Sequence, residues 1–321
     1  MSHDRSAQRV RVFTEPHCLD HRAPRGYPEC PDRLVGVMSH LTARGWPITE
    51  VGVAREVAEA AVAAVHDPAY VERFRRAAER GDALLDSADN PLSEGTWEAA
   101  WAAVSATLAA AEHAVSDGGA YSFAAVRPLG HHAEKALAMG FCFFNNVAVA
   151  AQHLRGQGAE RVAIFDFDVH HGNGTQHLFE ERADVFYAST YQFPFYLGIG
   201  AAGETGRGQG AGATLNVPLP AGTGDEEYAA AFAERILPAL AAFRPDVLLL
   251  SAGFDAWRGD PLGGMAVSEE GFASWGRQLG ALADQVAQGR LLAVLEGGYD
   301  LANLPSLVDS FLGGLLSPDP N

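Results

Sequence analysis

The chain has 321 residues, 48% of them apolar, with a formal net charge of −17 and a mean hydropathy of −0.03. That suits a soluble globular chain with a sizeable core, and the acidic balance argues against nucleic acid as a direct ligand, since phosphate contacts need a basic footprint. No apolar run approaches a membrane span and the first residues are polar, so neither membrane insertion nor a targeting segment is expected.

The acidity serves solubility or steers cationic substrates such as lysine peptides or polyamines. Cys18, Cys30 and Cys142 cannot all pair and follow no repeated spacing, which favours a reduced, cytoplasmic setting. Whether the chain is a monomer or a homo-oligomer, dimer or tetramer, stays open.

In chain order, Arg9–Phe13 reads as a strand leading into a Pro/Gly-rich loop from Thr14 to Pro31. Asp32–Arg44 is the first predicted helix. Ala54–Arg80 is largely helical, interrupted at Asp67-Pro68, where proline restricts the residue before it. After a polar loop, Asp86–Ser93, comes an amphipathic helix over Glu94–Ser116 whose Trp97, Trp101, Val104 and Leu108 read as core. From there strands are expected at Ser122–Arg127, Arg161–Phe167, Val185–Ser189, Thr214–Val217, Val247–Ser251 and Leu291–Leu295. Helices fall between them at Asn146–Arg155, Asp225–Phe243, Glu269–Gln288 and Leu304–Leu315. Thr223 with Glu226 has capping-box spacing, and Ser268 precedes two acids. The alternation implies parallel strands with helices on both faces of one α/β domain.

In such sheets ligands bind beyond the carboxyl ends of the strands, and those ends are unusually polar here. They carry His131 and His132, then Asp166, Asp168 and His170, then Asp255, then Glu296 and Tyr299. Along a strand, Asp166, Asp168 and His170 would alternate to one face, and burying them demands charge partners or a metal. Asp168, His170 and Asp255 make a three-ligand site with open positions for water and substrate, leaving zinc, iron, cobalt and manganese open. Hydrolysis by activated water follows as the expected chemistry. His131 and His132 are candidate proton carriers, Tyr299 a candidate oxyanion donor, and Asp166 a partner that orients an imidazole.

Gly130-His131-His132, Gly140-Phe-Cys-Phe-Phe-Asn-Asn146, Asp166-Phe-Asp-Val-His-His-Gly-Asn-Gly174, Ser251-Ala-Gly-Phe-Asp255 and Glu296-Gly-Gly-Tyr299 resemble, in order and spacing, the motifs of the metal-dependent histone deacetylase family. That family includes acetylpolyamine amidohydrolases and bacterial histone-deacetylase-like amidohydrolases. The resemblance implies an arginase-like α/β fold with a central, mostly parallel eight-stranded sheet and one catalytic Zn2+ at its carboxyl edge. It gives Asp168, His170 and Asp255 as the zinc ligands, His132 as general base and acid, and His131, paired with Asp166, as mainly electrostatic. Asn173 pairs with His132; asparagine there resembles the class II branch and removes a charge that would raise the pKa of His132. Tyr299 matches the tyrosine that binds the acetyl carbonyl. Gly140 and Phe141 are implied to line the acyl tunnel, with Tyr196 opposite and Asp89 at the rim aspartate that grips substrate amides. Asp166, Asp168, His170, Ser189 and Thr190 fall where relatives hold structural K+ or Na+.

Two features depart from the pattern and bear on the substrate. The pocket-mouth loop reads Tyr27-Pro28-Glu29 where His-Pro-Glu is usual, and Asp260-Pro261 is followed by Leu262 where polyamine-selective relatives carry an acidic gatekeeper. The implied activity is therefore removal of an acetyl group from acetyl-lysine side chains or an acetylated small molecule. An acetylpolyamine deacetylase and a catalytically silent acyl-binding protein are the rivals, and an arginase-type ureohydrolase would need a two-manganese cluster with more acids than these strand ends offer.

Overall fold

The computed structural model describes residues 9–116 and 118–317. Eight strands form one sheet: β1 (Val10–Thr14), β2 (Ile48–Glu50), β3 (Tyr121–Ala124), β4 (Val162–Asp166), β5 (Val185–Gln192), β6 (Thr214–Leu219), β7 (Val247–Ala252) and β8 (Leu291–Leu295). Their order is β2-β1-β3-β8-β7-β4-β5-β6, and every pairing is parallel. The "mostly parallel" expectation is thus sharpened to wholly parallel. Every residue of β3, β4, β5, β7 and β8 is buried, as helices on both faces require.

The helices are α1 (Pro31–Ala43), α2 (Arg55–Ala63), α3 (Pro68–Arg80), α4 (Thr96–Ala114), α5 (Asn146–Gly156), α6 (Asn173–Phe179), α7 (Asp225–Ala231), α8 (Leu237–Phe243), α9 (Glu269–Val286) and α10 (Leu304–Leu316). Helices α9, α10 and α1 pack together, as do α4, α5 and α2. Asp67 caps α3 by accepting the Ala69 N–H, so proline at the first helical position starts a new helix instead of kinking the old one. Trp101 is buried and Trp97 packs half-buried against the same core.

Several local expectations are corrected. The strand β2 and the helix α6 were not legible as elements. The Thr223/Glu226 box does not form: Thr223 donates to the Pro220 carbonyl, and Gly224 is the residue that caps α7, its N–H accepted by Glu227 at 3.1 Å. A π-helical turn, Phe232–Ile236, separates α7 from α8 in the stretch expected as one helix. Strand β4 ends at Asp166, so Asp168 and His170 lie on a bend and not on an alternating strand. There the backbone is turned by its own acids: Asp166 accepts the Asp168 N–H at 3.1 Å, and Asp168 accepts the His170 N–H at 2.9 Å. Among the described residues, no helix is long and apolar enough to cross a membrane.

Candidate active site

Four adjacent central strands, β3, β8, β7 and β4, deliver their carboxyl-end loops to one place. Asp168, His170 and Asp255 arrive from β4 and β7, and one ligand atom of each lies within 4.8 Å of the others. His170 Nδ1 is 3.0 Å from Asp168 Oδ1 and 3.2 Å from Asp255 Oδ2. The far sides of both carboxylates are anchored: Asp255 Oδ1 accepts the Val169 N–H at 2.9 Å, and Asp168 Oδ2 accepts the Gly297 N–H at 2.7 Å. Gly297 leaves no room for a side chain, since a Cβ there would run into both carboxylates. Asp255 Oδ2 is buried and makes no well-directed hydrogen bond. Burial and the charge of Asp168 push Asp255 up to about 7, as expected for two acids sharing one dry site. Two carboxylates and an imidazole, converging with one oxygen unsatisfied, fit a divalent cation.

The two histidines differ. His131 Nδ1 lies 3.0 Å from Asp166 Oδ2; burial disfavours its charged form, but Asp168, Asp166 and Glu296 outweigh that and raise it to about 10. His132 Nδ1 lies 2.6 Å from Asn173 Oδ1; burial, then the charges of His131 and His170, hold it well below its ordinary value. Gly140, at φ +58°, is the residue on which any Cβ would meet the His132 ring.

Residues 27–315 match the histone deacetylase domain. The chain belongs to that family. It is 37% identical over 328 residues to histone deacetylase 14, chloroplastic, of Arabidopsis thaliana, covering 96% of this chain and 77% of that protein. It is 39% identical over 326 residues to the acetylpolyamine amidohydrolase of Burkholderia pseudomallei, covering 89% of this chain and 90% of that one. The crystal structure of the HDA15 HD domain superposes with a TM-score of 0.87 at 34% identity, over 97% of this chain and 90% of that chain. The family resemblance in the motifs and the deacetylase-type sheet are thereby borne out.

In this histone deacetylase-family chain the pocket above the cluster is a cavity of about 320 Å³. Asp89, Gly140, Phe141, Tyr196, Leu262 and Tyr299 all face it. Phe195, not singled out in the sequence, also lines it and stacks on the His170 ring with centroids 5.1 Å apart. The walls are mostly apolar, the floor polar. Asp89 is already engaged: Oδ2 accepts the Tyr196 hydroxyl at 2.6 Å and the Gly140 N–H at 3.2 Å. Burial holds the Tyr299 hydroxyl well above its ordinary range, so it stays a donor.

Several supporting contacts were not legible in the sequence. Glu296 Oε2 accepts the backbone N–H groups of Gly130, at 2.8 Å, and His131, at 3.2 Å. Arg33 donates to the Gly298 carbonyl at 2.6 Å and lies 4.8 Å from the Tyr299 ring centroid. Glu29 is not a mouth residue: fully buried, it pairs bidentately with Arg127 at 2.5 and 2.6 Å. Tyr27 packs edge-on against Phe141, one of the pocket's walls, with ring centroids 5.5 Å apart. Ser189 sits beside Asp166 in the β4–β5 register, and the buried Thr190 hydroxyl has no hydrogen-bond partner.

Proposed function

We propose that the chain is a zinc-dependent amidohydrolase that removes an acetyl group from an amine, with an acetyl-lysine side chain or an acetylated small molecule as substrate. The observation that carries this reading is the convergence of Asp168, His170 and Asp255 at the floor of an apolar pocket flanked by His132 and Tyr299. A divalent ion held by those three residues would supply Lewis-acid polarisation of the amide carbonyl and of water.

The chain's own residues do the rest. Asn173 engages His132 Nδ1, leaving Nε2 to take a proton from the attacking water. Tyr299 donates its hydroxyl hydrogen to the oxyanion that develops on the carbonyl oxygen. His131, held protonated by Asp166, keeps positive charge beside that developing anion. The proton taken by His132 then goes to the leaving amine. Phe141, Phe195 and Leu262 hold an alkyl chain and exclude water around the reacting bond.

A second reading, an acetylpolyamine deacetylase, is supported by similarity to the Burkholderia pseudomallei acetylpolyamine amidohydrolase and by the net charge of −17. Against it, Leu262 is apolar, and the carboxylate of Asp89 is already bonded to Tyr196. Three free cysteines support a reducing, cytoplasmic setting, and the unpartnered Thr190 hydroxyl beside β4 supports a structural K+ or Na+. The test is acetate release by zinc-loaded protein from an acetyl-lysine peptide and from acetylputrescine. Faster turnover of the peptide supports the first reading, a reversed ratio the second, and no release from either substrate removes both.

A further inference from the structure

A hydrogen-bond chain runs outward from His132. Asn173 Oδ1 is 2.6 Å from His132 Nδ1, Asn173 Nδ2 donates to Glu134 Oε1 at 2.6 Å, and His177 Nδ1 lies 2.8 Å from that same Oε1. The shape of an amide lets it sit either way round, and the two orientations have opposite consequences for the imidazole. With Oδ1 toward the ring, the neutral imidazole must carry its hydrogen on Nδ1, which leaves the Nε2 lone pair free. Reversed, the NH2 group would donate to Nδ1, and the ring hydrogen would move to Nε2, where it blocks proton uptake.

Asparagine cannot make this choice by itself. An ionised carboxylate can, because it only accepts: turning the amide would press Asn173 Oδ1 against the Glu134 oxygen. The remaining neighbours of Nδ2 are weaker anchors, the His132 carbonyl at 3.4 Å and the Met139 sulfur at 3.4 Å. Glu134 is itself held in place. Its N–H donates to the Leu137 carbonyl at 3.0 Å, and its own carbonyl lies 3.0 Å from His66 Nδ1.

We propose that Glu134 is a positioning residue that locks the Asn173 amide and thereby fixes the Nδ1–H tautomer of His132. This rests on the reading of His132 as the proton acceptor. An aspartate at 173 needs no such lock, because both its oxygens accept, and one of them would face the Glu134 carboxylate where Asn173 now donates at 2.6 Å.

The test is a cycle of Glu134→Ala in the native chain and in Asn173→Asp, read by steady-state kinetics on an acetyl-lysine peptide and by the ¹⁵N imidazole spectrum of His132. In the native chain Glu134→Ala lowers kcat roughly tenfold to a hundredfold with KM little changed, as removal of an outer partner does elsewhere. The spectrum then shows the Nε2–H form appearing. In the Asn173→Asp chain the same change does not lower kcat, because it removes no orienting partner and relieves two facing carboxylates, and Glu134→Gln in the native chain falls between wild type and Glu134→Ala. Equal losses in both backgrounds, or an unchanged tautomer in Glu134→Ala, overturn the proposal. Because the spectrum needs no turnover, a protein inactive on every acylated amine would sink the reaction assignment while leaving the tautomer lock to be judged on its own.

Discussion

Asp260 joins the pocket wall to Tyr299: its Oδ2 accepts the Tyr299 backbone N–H at 2.7 Å, while Oδ1 accepts those of Leu262 at 2.8 Å and Gly263 at 3.1 Å. Asp260→Asn sets an NH2 group against a backbone donor. The expected result is a fall in kcat of about tenfold and a stability loss of about 1–3 kcal/mol, read from steady-state kinetics and thermal unfolding. A variant with wild-type kcat would show that Tyr299 needs no such anchor.

Tyr299→Phe removes only a hydroxyl; the ring keeps its packing against Arg33 and Phe141. With the oxyanion donor gone, kcat is expected to fall by about 10²–10³, while zinc content and Tm stay at wild-type values. Metal analysis and kinetics on one preparation check both halves.

Glu29 gives the fold an acid limit. Burial raises its pKa, but the charge and hydrogen bonds of Arg127, with His21 and Arg33, more than offset that and bring it from 4.5 to about 2. A carboxyl depressed in the folded state stabilises above its unfolded pKa and loses that contribution as pH falls through the folded one. About 3 kcal/mol should therefore disappear between pH 4.5 and pH 2. Glu29→Gln should unfold more easily at neutral pH, leaving two buried arginines short of an acceptor, and should show a flatter profile across that window. Urea titrations at stepped pH read both effects.

Much of the fold and site was legible because both rest on local pattern. The buried strands are runs of Val, Ile, Leu and Phe, and the reactive side chains directly follow them, so Asp168, His170, Asp255 and Tyr299 could be picked from strand ends alone. Strand β2 was hidden because it is three residues long and half exposed, with the composition of a loop. The helix α6 was hidden because it begins inside the Gly-Asn-Gly run that reads as a loop. Arg33, Glu134, Asp260 and Glu296 were missed as supports because their partners are backbone groups or side chains brought near only by the topology. Glu134 did carry a local hint, an acid two residues beyond His132, that gained meaning only once Asn173 was seen between them.

Zinc should bind the folded protein and stabilise it. At about a hundredfold excess over Kd the gain is about 2.7 kcal/mol, visible as a rise in Tm. Asp255→Ala removes one of the three converging donors and is expected to abolish that rise; a rise of unchanged size would place the metal elsewhere.

A dependence of acetyl removal on a metal at Asp168, His170 and Asp255 is expected. It is tested most directly by following acetate release from an acetyl-lysine peptide through one cycle of chelation and zinc restoration. Loss of turnover on chelation and its return with about one zinc per chain is the expected result. Turnover that survives complete metal removal would show that no metal at these residues is needed.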